Sequence, residues 1–217
     1  MVWLGSIISW MAANSETLLQ QAVQHLNIAV TALVFGIALW IPAGVLVRDH
    51  DRAADLFLGT AGIVLTIPSL ALLSLLIPIM GIGVAPAVTA LVLYSALPIA
   101  RNTYTGIEGV DPATVEAGRG LGMTDRQLLV RVQLPLALSV IMAGVRQAAV
   151  LMIAITTVAA FFGAGGLGNS IFAGIRLNNP EQILAATLVI SALAVSIDYG
   201  LYAVQRFLPG GAEVNDA

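Results

Sequence analysis

The chain has 217 residues, of which 59% are hydrophobic and 10% are charged, whereas an ordinary soluble domain carries about a quarter charged residues. Its basic residues are nine arginines and no lysine, spread along a chain of formal net charge −3, so the sequence offers no basic patch for nucleic acid. The absence of cysteine excludes disulfides, thiolate metal sites and cysteine nucleophiles. Together these properties exclude a soluble enzyme and predict one integral membrane domain in a lipid bilayer.

The N-terminal segment, residues 1–25, lacks the basic region of a secretory signal. We interpret it as an interfacial segment, with Trp3 and Trp10 at the headgroup level, where amphipathic rings are favoured.

The next part of the chain contains five stretches that are long and apolar enough to cross a bilayer as helices. They are residues 26–47, two spans within 56–100 divided at the turn "MGIGVAP", residues 135–162 and residues 181–207. The predicted fold is therefore all-α, with a membrane domain at 26–208 and a short cytoplasmic tail at 209–217.

The arginines predict the orientation of these spans. By alternation, one side of the membrane receives Arg48, Arg52, Arg119, Arg126, Arg131 and Arg206. The other side receives only Arg176. Because cytoplasmic loops carry the excess of arginine, the N-terminus is expected outside and the C-terminus in the cytoplasm.

The run "GAGGLG", residues 163–168, fits the G-x-G-x-x-G pattern of dinucleotide-binding folds. That pattern needs a strand before it and a crossover unit after it, whereas here a membrane helix precedes and an outer loop follows. The run instead predicts a tight turn at the external end of the fourth span, where glycine permits positive φ. A sharper alternative stays open, in which the loop re-enters and packs near the mouth of a pathway.

A polar interval, residues 111–135, separates the third and fourth spans, and we call it the elbow. Asp111 is a helix N-cap and Pro112 the first helical residue. The helix should end at 120–122, and a second should begin at Thr124, whose spacing to Gln127 gives a capping box. Pro135 then marks the step into the fourth span. A plain connector needs only a few residues, so this capped structure predicts a docking surface for a soluble partner.

The elbow resembles the cytoplasmic signature of bacterial ABC importer permeases: Glu-Ala-Ala, three residues, Gly, nine residues, then Ile-x-Leu-Pro. It has Glu116-Ala117-Gly118, then Gly122, then Val132-Gln133-Leu134-Pro135, so every spacing is kept while Gly118 and Val132 depart from the pattern. The stretches at 66–83, 97–123 and 163–175 are similar to permeases of the osmoprotectant branch, which import glycine betaine, carnitine, choline and similar quaternary amines. The similarity covers about residues 26–207.

The resemblance implies that the elbow is a coupling helix seated in a groove of an ATPase subunit. The residues it assigns to coupling are Asp111, Pro112, Glu116, Ala117, Gly118, Gly122, Leu134 and Pro135. Small side chains at Ala117 and Gly118 would allow close seating, and Glu116 would either contact the ATPase or brace the elbow itself.

The resemblance also implies the partners: two ATPase subunits, a second permease subunit that is identical or paralogous, and a separate extracytoplasmic binding protein. The chain has no G-x-x-x-x-G-K-[ST] motif and no lysine, so ATP and Mg²⁺ belong to the ATPase and this chain needs no cofactor. The expected location is the bacterial cytoplasmic membrane.

Four polar or aromatic residues are candidates for the translocation pathway: Ser69, Tyr94, Asn102 and Tyr104. Aromatic faces suit a quaternary ammonium group through cation–π attraction. Alternatively, the serine bonds its own backbone and the tyrosines only pack. Pro68, Pro78 and Pro98 predict kinks that make room for a cavity.

Arg146 and Asp198 are the ionisable residues deepest in the fourth and fifth spans, and they form a possible intramembrane pair. The alternative is that each snorkels to a helix end, as we expect for Arg101. His25 and His50 are expected in water-accessible places beside the first span, without a second ligand, so no metal site is predicted.

Two other functions stay open. One is an ABC permease for another polar solute, such as a methionine-like amino acid. The other is a self-sufficient secondary transporter, against which stands the absence of a second inverted repeat. A membrane-embedded enzyme would need a catalytic cluster of His, Asp or Glu that the sequence lacks.

Overall fold

The computed structural model describes residues 4–208, and every regular element in that range is helical. Trp3 and the predicted tail at 209–217 lie outside the described residues. The helices are α1 Leu4–Ala13, α2 Ser15–Val47, α3 Asp51–Thr66, α4 Ser69–Met80, α5 Val84–Glu108, α6 Pro112–Gly120, α7 Asp125–Leu128, α8 Leu134–Ala159, α9 Gly168–Leu177 and α10 Pro180–Arg206. A π-helical turn, Leu129–Gln133, joins α7 to α8, and a 3₁₀ turn, Ala160–Phe162, follows α8.

Helix α5 is the centre of the bundle, because it packs along both α2 and α8 and also contacts α3 and α4. Small residues let the backbones approach. A Cβ atom on Gly44 of α2 would lie 2.8 Å from the Ala100 carbonyl oxygen, and one on Gly144 of α8 would lie 2.5 Å from that of Pro98. The largest buried cluster of the core includes Leu73, Leu91, Tyr94, Met152 and Ile153.

Four helical segments are long and apolar enough to cross a membrane: α2, α5, the continuous segment Asp125–Phe162, and α10. The pair α3 and α4 makes a fifth span only if it is counted across a bend of 98°. The prediction of about five membrane helices is therefore confirmed, with the bent pair α3 and α4 as the fifth span.

The second span was expected to be one helix kinked at Pro68, and this was wrong, because the helix ends there. Ile67 is extended, with ψ of 127°, since a residue that precedes proline is disfavoured in the helical region. The Tyr94 hydroxyl donates a 2.6 Å hydrogen bond to the Ile67 carbonyl oxygen. This bond satisfies a backbone group that the break leaves without a helical partner. Pro78 and Pro98, in contrast, lie inside α4 and α5.

The first membrane helix begins at Ser15, well before residue 26, and runs for 33 residues. It meets α1 at Asn14, whose side-chain amide donates to the Trp10 carbonyl oxygen at 2.9 Å. The Trp10 side chain packs against a buried cluster that includes Leu18 and Leu167. Residues 15–25 therefore extend α2, and α1 packs on α10 at the same end of the bundle.

Candidate functional site

The elbow begins with the predicted helix cap. The Asp111 carboxylate accepts a 3.0 Å hydrogen bond from the Ala113 backbone N–H, and Pro112 is the first residue of α6. Pro112 loses nothing there, since the first helical N–H has no intrahelical partner. This predicted N-terminus of the elbow is confirmed.

The end of α6 is a compact glycine turn. The Met123 N–H donates to the Gly118 carbonyl oxygen at 3.2 Å, and the Gly122 N–H donates to that of Arg119 at 2.9 Å. Gly122 has φ of 79°, a conformation that a residue with a side chain rarely adopts. This pattern of bonds is that of a Schellman-type C-cap, so Gly122 shapes the turn between the two parts of the elbow.

Glu116 and Ala117 are exposed, while Gly118 is buried against the elbow's own second part. A Cβ atom on Gly118 would lie 2.7 Å from Cδ1 of Leu128, which is 2% exposed. The departure from Glu-Ala-Ala at Gly118 therefore has a packing reason within the chain. Sequence reasoning missed Leu121, which is 81% exposed at the tip of the turn. A large exposed apolar side chain beside an exposed carboxylate is suited to contact a partner protein.

The second part of the elbow is continuous with the fourth span. The capping box of Thr124 and Gln127 is present, with bonds of 2.9 and 3.3 Å. Pro135 lies in the first turn of α8, at the predicted step into the fourth span, but no break separates the two helical segments there. The Leu134 N–H bonds to the Leu129 carbonyl oxygen, which is the wider spacing of a π turn. This turn carries the chain helically into α8, so Pro135 is tolerated without a break.

The predicted sidedness of the loops is seen in their packing. Arg48 and Asp49, which follow α2, line one hollow together with Glu116 and Arg119 of α6. Arg48 and Asp49 also form an ion pair at 3.0 Å. At the opposite end, the Gly83 N–H donates to the Phe162 carbonyl oxygen at 3.1 Å. The arginine-bearing loops after α2 and around α6 thus lie at one end of the bundle, the elbow end. The turn at 81–83 and the loop at 163–168 lie at the other end.

Arg146 and Asp198 meet across α8 and α10. The guanidinium donates from Nε to Oδ1 at 2.9 Å and from Nη2 to Oδ2 at 3.0 Å. Their side chains are 23% and 34% exposed. The fork of an arginine matches a carboxylate in this two-bond geometry. The structure therefore pairs the two residues, and the snorkelling alternative does not describe them.

Two further residues of α10 complete this charge cluster, and sequence reasoning missed both. Arg146 Nη1 donates to the Gln205 amide oxygen at 2.8 Å, and the Gln205 amide donates to the Ser139 carbonyl oxygen at 2.8 Å. The guanidinium also lies 4.8 Å from the centre of the Tyr202 ring. The available signal was spacing, since residues four and seven positions after Asp198 share its helix face.

The glycine loop, residues 163–168, is clamped onto α2. The Gln24 side chain accepts from the Gly166 N–H at 3.0 Å and donates to the Ala164 carbonyl oxygen at 3.4 Å. The Ser170 hydroxyl donates to the Gln21 side-chain oxygen at 2.7 Å. These bonds join the end of the fourth span to the first part of α2.

The glycines of this loop are required by conformation and by packing. Gly165 has φ of 90°, and a Cβ atom there would overlap the Gln24 side chain. A Cβ atom on Gly168 would overlap the Thr157 carbonyl oxygen. A helix precedes the loop, and the described range contains no strand, so a dinucleotide-binding unit is excluded there. The prediction of a tight turn is confirmed, and the turn is also packed against another helix.

His25 is fully buried, which corrects the expectation of a water-accessible site. Its Nε2 lies 3.0 Å from the Ile153 carbonyl oxygen, and its Nδ1, beneath Gly166, has no hydrogen-bond partner within residues 4–208. The expectation was wrong because α2 already begins at Ser15. His50 is exposed at the start of α3. Residues 4–208 hold no group of three His, Cys, Asp or Glu that is arranged to bind a metal.

The four residues predicted for the translocation pathway lie at different depths along the bundle. Ser69 begins α4 just after the bend, and Tyr94 is 2% exposed with its hydroxyl bound at the same bend. Asn102 and Tyr104 lie about two to three turns further along α5. The Asn102 amide donates to the Pro98 carbonyl oxygen at 2.8 Å, and Tyr104 bonds Glu108.

Comparison with known proteins places this architecture in a transport family. Residues 36–209 match the family described as "Binding-protein-dependent transport system inner membrane component". The chain is 42% identical over 198 residues to the carnitine transport permease protein OpuCB of Listeria monocytogenes, covering 91% of each chain. It is 41% identical to the choline transport system permease protein OpuBB of Bacillus subtilis, covering 95% of this chain and 96% of that one. It is 43% identical to the osmoprotectant import permease protein OsmW of Salmonella typhimurium, covering 93% and 96%.

Solved structures share the fold. A subunit of the MetNI methionine ABC transporter, in an inward-facing conformation, superposes with a TM-score of 0.76 at 22% identity, over 87% of this chain and 95% of that chain. An amino acid ABC transporter crystallised with histidines gives a TM-score of 0.77 at 19% identity, over 96% and 100%. Since the family match covers most of the chain and the relatives cover nearly all of it, the chain belongs to the family of binding-protein-dependent transport system inner membrane components.

Proposed function

We propose that this chain is the transmembrane permease subunit of an ATP-driven importer for quaternary-amine osmoprotectants such as glycine betaine, carnitine or choline. The observation that carries the proposal is the 41–43% identity, over more than nine tenths of the chain, to permeases named for carnitine, choline and osmoprotectant transport. The solved structures of a methionine transporter are 22–24% identical to this chain, and at that level a likeness concerns the fold alone, so they do not favour the methionine alternative.

In this proposal the chain conducts the solute and a separate ATPase subunit binds ATP and Mg²⁺. Two ATPase subunits and a second permease, identical or paralogous, complete the membrane complex. An extracytoplasmic binding protein delivers the solute. The elbow end faces the cytoplasm because it carries six of the nine arginines. The N-terminus is then outside and the C-terminus inside.

The proposed coupling surface is the exposed face of the elbow. Glu116, Ala117 and Leu121 are exposed there and contact the ATPase. Buried Gly118 and left-handed Gly122 shape the surface, and Asp111 and Pro112 fix where α6 begins. Leu134 and Pro135 follow the π turn and join the surface rigidly to α8.

The proposed pathway follows the α5 side of the bundle, where Ser69, Asn102 and Tyr104 are partly accessible. Tyr94 has a positioning role in this proposal, because its buried hydroxyl holds the bend between α3 and α4. The cluster of Arg146 and Asp198 holds α8 and α10 together while the subunit changes conformation.

The experiment that tests the proposal is uptake of radiolabelled glycine betaine, carnitine and choline by cells that express the chain with its ATPase and binding protein. We compare the wild type with Glu116→Arg and Leu121→Asp on the elbow. The matched control is Glu16→Arg, the same change at an exposed glutamate in the first turn of α2, at the other end of the bundle.

Uptake should require the ATPase. Both elbow variants should be present in the membrane at the wild-type level but should neither support uptake nor co-purify with the ATPase. The control variant should support uptake and co-purify with the ATPase. Uptake by the permease alone would contradict the ATP-driven mechanism and favour a secondary transporter. A complete complex that carries methionine but none of the three amines would favour the methionine alternative.

A further inference from the structure

Arg101 is a charged residue of the central helix, α5. It is exposed on the surface of α5, and neither ion pair of residues 4–208 includes it. An arginine stays protonated in proteins, and a charge inside a membrane is rare unless it faces another charge or a water-filled cavity. The surface around Arg101 is therefore unsuited to face lipid.

The side chain of Arg101 is badly placed to reach the water at the elbow end of the bundle by snorkelling. The residue lies about 10 Å from the end of α5 at Glu108, at 1.5 Å per residue. Side chains on a helix lean toward its N-terminus, which for α5 is the opposite end, at Val84. Arg101 also lines a hollow that it shares with Leu97, one turn closer to Val84. Its stem therefore starts in the direction of the membrane interior.

The hollow combines polar groups with apolar walls. Gln147 of α8 is exposed beside Arg101, and no side-chain hydrogen bond joins it to another residue in 4–208. The Asn102 amide lies next to them and uses its N–H for the Pro98 carbonyl oxygen, which leaves its own oxygen available. The walls are formed by Leu65, Leu97 and Leu151.

This arrangement matches a solute with a carboxylate at one end and an alkylated ammonium group at the other. A guanidinium binds a carboxylate with two parallel hydrogen bonds, and the Gln147 amide adds a further donor. Methylated ammonium carbons pack against leucine side chains, as apolar groups do. An alcohol such as choline has no carboxylate and gains nothing from the arginine.

We propose that Arg101 and Gln147 bind the carboxylate of a zwitterionic solute on its way through the membrane, and so favour glycine betaine and carnitine over choline. The inference rests on the proposed function for the identity of these solutes. Arg101 would bind the carboxylate of an amino acid such as methionine in the same way.

The test uses the complete complex of permease, ATPase and binding protein in proteoliposomes. Initial uptake of glycine betaine, carnitine, choline and methionine is measured for the wild type, Arg101→Gln, Arg101→Lys and Gln147→Leu. The matched control is Arg206→Gln, at an exposed arginine in the last turn of α10. Complex integrity is checked by co-purification of all subunits, and basal ATP hydrolysis is measured in parallel.

We expect Arg101→Gln to lower uptake of the carboxylated solutes about tenfold or more, the size of a lost charge-assisted hydrogen bond. Choline uptake should change less than about threefold. Arg101→Lys should recover part of the loss because it keeps the charge without the fork. Gln147→Leu should raise KM for carboxylated solutes more than it lowers kcat, and the control should match the wild type.

Three results would overturn the inference: an equal loss for choline and glycine betaine, uptake of choline alone by the wild type, or a complex that falls apart in both Arg101 variants. The last would assign Arg101 to a subunit contact. If the wild type carries methionine and no amine, the proposed function fails, and the effect of Arg101→Gln on methionine still decides the role of Arg101. If it carries none of the four solutes, both proposals fail.

Discussion

The guanidinium of Arg146 and the carboxylate of Asp198 form a two-bond ion pair between α8 and α10, with nitrogen–oxygen distances of 2.9 and 3.0 Å. Gln205 bonds the same guanidinium at 2.8 Å. The two helices are neighbours along the bundle, and this cluster supplies polar contacts between surfaces that are otherwise apolar.

Removing one member of the pair should destabilise the subunit. Asp198→Asn or Arg146→Gln leaves the other group without its charged partner, which costs about 3–5 kcal/mol at a fully buried site. Because a quarter to a third of each side chain lies outside the packed core of the subunit, we expect a smaller loss than at a fully buried site, about 1–3 kcal/mol. Thermal unfolding of the detergent-purified subunit measures this.

The double variant Arg146→Met with Asp198→Leu should recover most of that stability, since well-packed apolar residues can replace a buried pair. Arg206→Gln serves as the control. Single variants as stable as the wild type would show that the pair contributes nothing to holding the helices together.

Gly168→Ala should destabilise the glycine loop. The new Cβ atom would overlap the Thr157 carbonyl oxygen, and this backbone atom cannot move without disturbing α8. We expect a loss of about 1–3 kcal/mol, as for other overpacked sites, seen as a lower unfolding temperature. Gly59→Ala in α3 is the matched control, because nothing lies within 4 Å of its added Cβ atom. That variant should be neutral or more stable by up to about 1 kcal/mol, and equal effects at both sites would contradict the packing argument.

Tyr94→Phe should weaken the bend between α3 and α4. It removes the hydroxyl that bonds Ile67 at 2.6 Å and leaves a carbonyl oxygen unsatisfied, at a cost of about 1–3 kcal/mol. Limited proteolysis near residue 67 and thermal unfolding both report the change. Tyr199→Phe, at a tyrosine that is 68% exposed on α10, should behave like the wild type. A Tyr94→Phe subunit with unchanged stability would mean that another group, or water, satisfies Ile67.

The proposed orientation is testable because the chain has no cysteine. A membrane-impermeant maleimide should label Asn178→Cys, between α9 and α10, in intact cells. It should label Leu121→Cys, at the tip of the elbow, only after the membrane is permeabilised. Both positions are exposed in the subunit. The permease is expressed without its ATPase, so that the proposed contact at Leu121 does not shield the thiol. The reverse labelling pattern would invert the assigned topology.

The local structure of the elbow could be predicted from the sequence more completely than that of any other part of the chain. Its caps at Asp111 and Thr124 depend on residues two or three positions away, so the local pattern contains the whole interaction. The meeting of Arg146 with Asp198 was also predictable, because a charge within an apolar helix requires a partner and few were available.

Features that depend on tertiary packing were missed. The break at Ile67 was not distinguishable by composition from a kink, since proline is compatible with both. His25 appeared exposed because its burial depends on Gly166, far along the chain, lying on top of it. Gln24 carried no signal of its own, since its partners in the glycine loop are backbone groups.

The continuity of the helix from Asp125 to Phe162 has a mechanical consequence. These 38 residues form a single rod of roughly 55 Å, with the elbow turn at one tip and the glycine loop at the other. If this helix tilts at its Thr124 end, Phe162 at its other end moves with it, and so does the glycine loop at 163–168 that Gln24 holds. If the ATPase docks at the elbow as proposed, its movement reaches the opposite end of the subunit through this one helix, and no intermediate element has to transmit it.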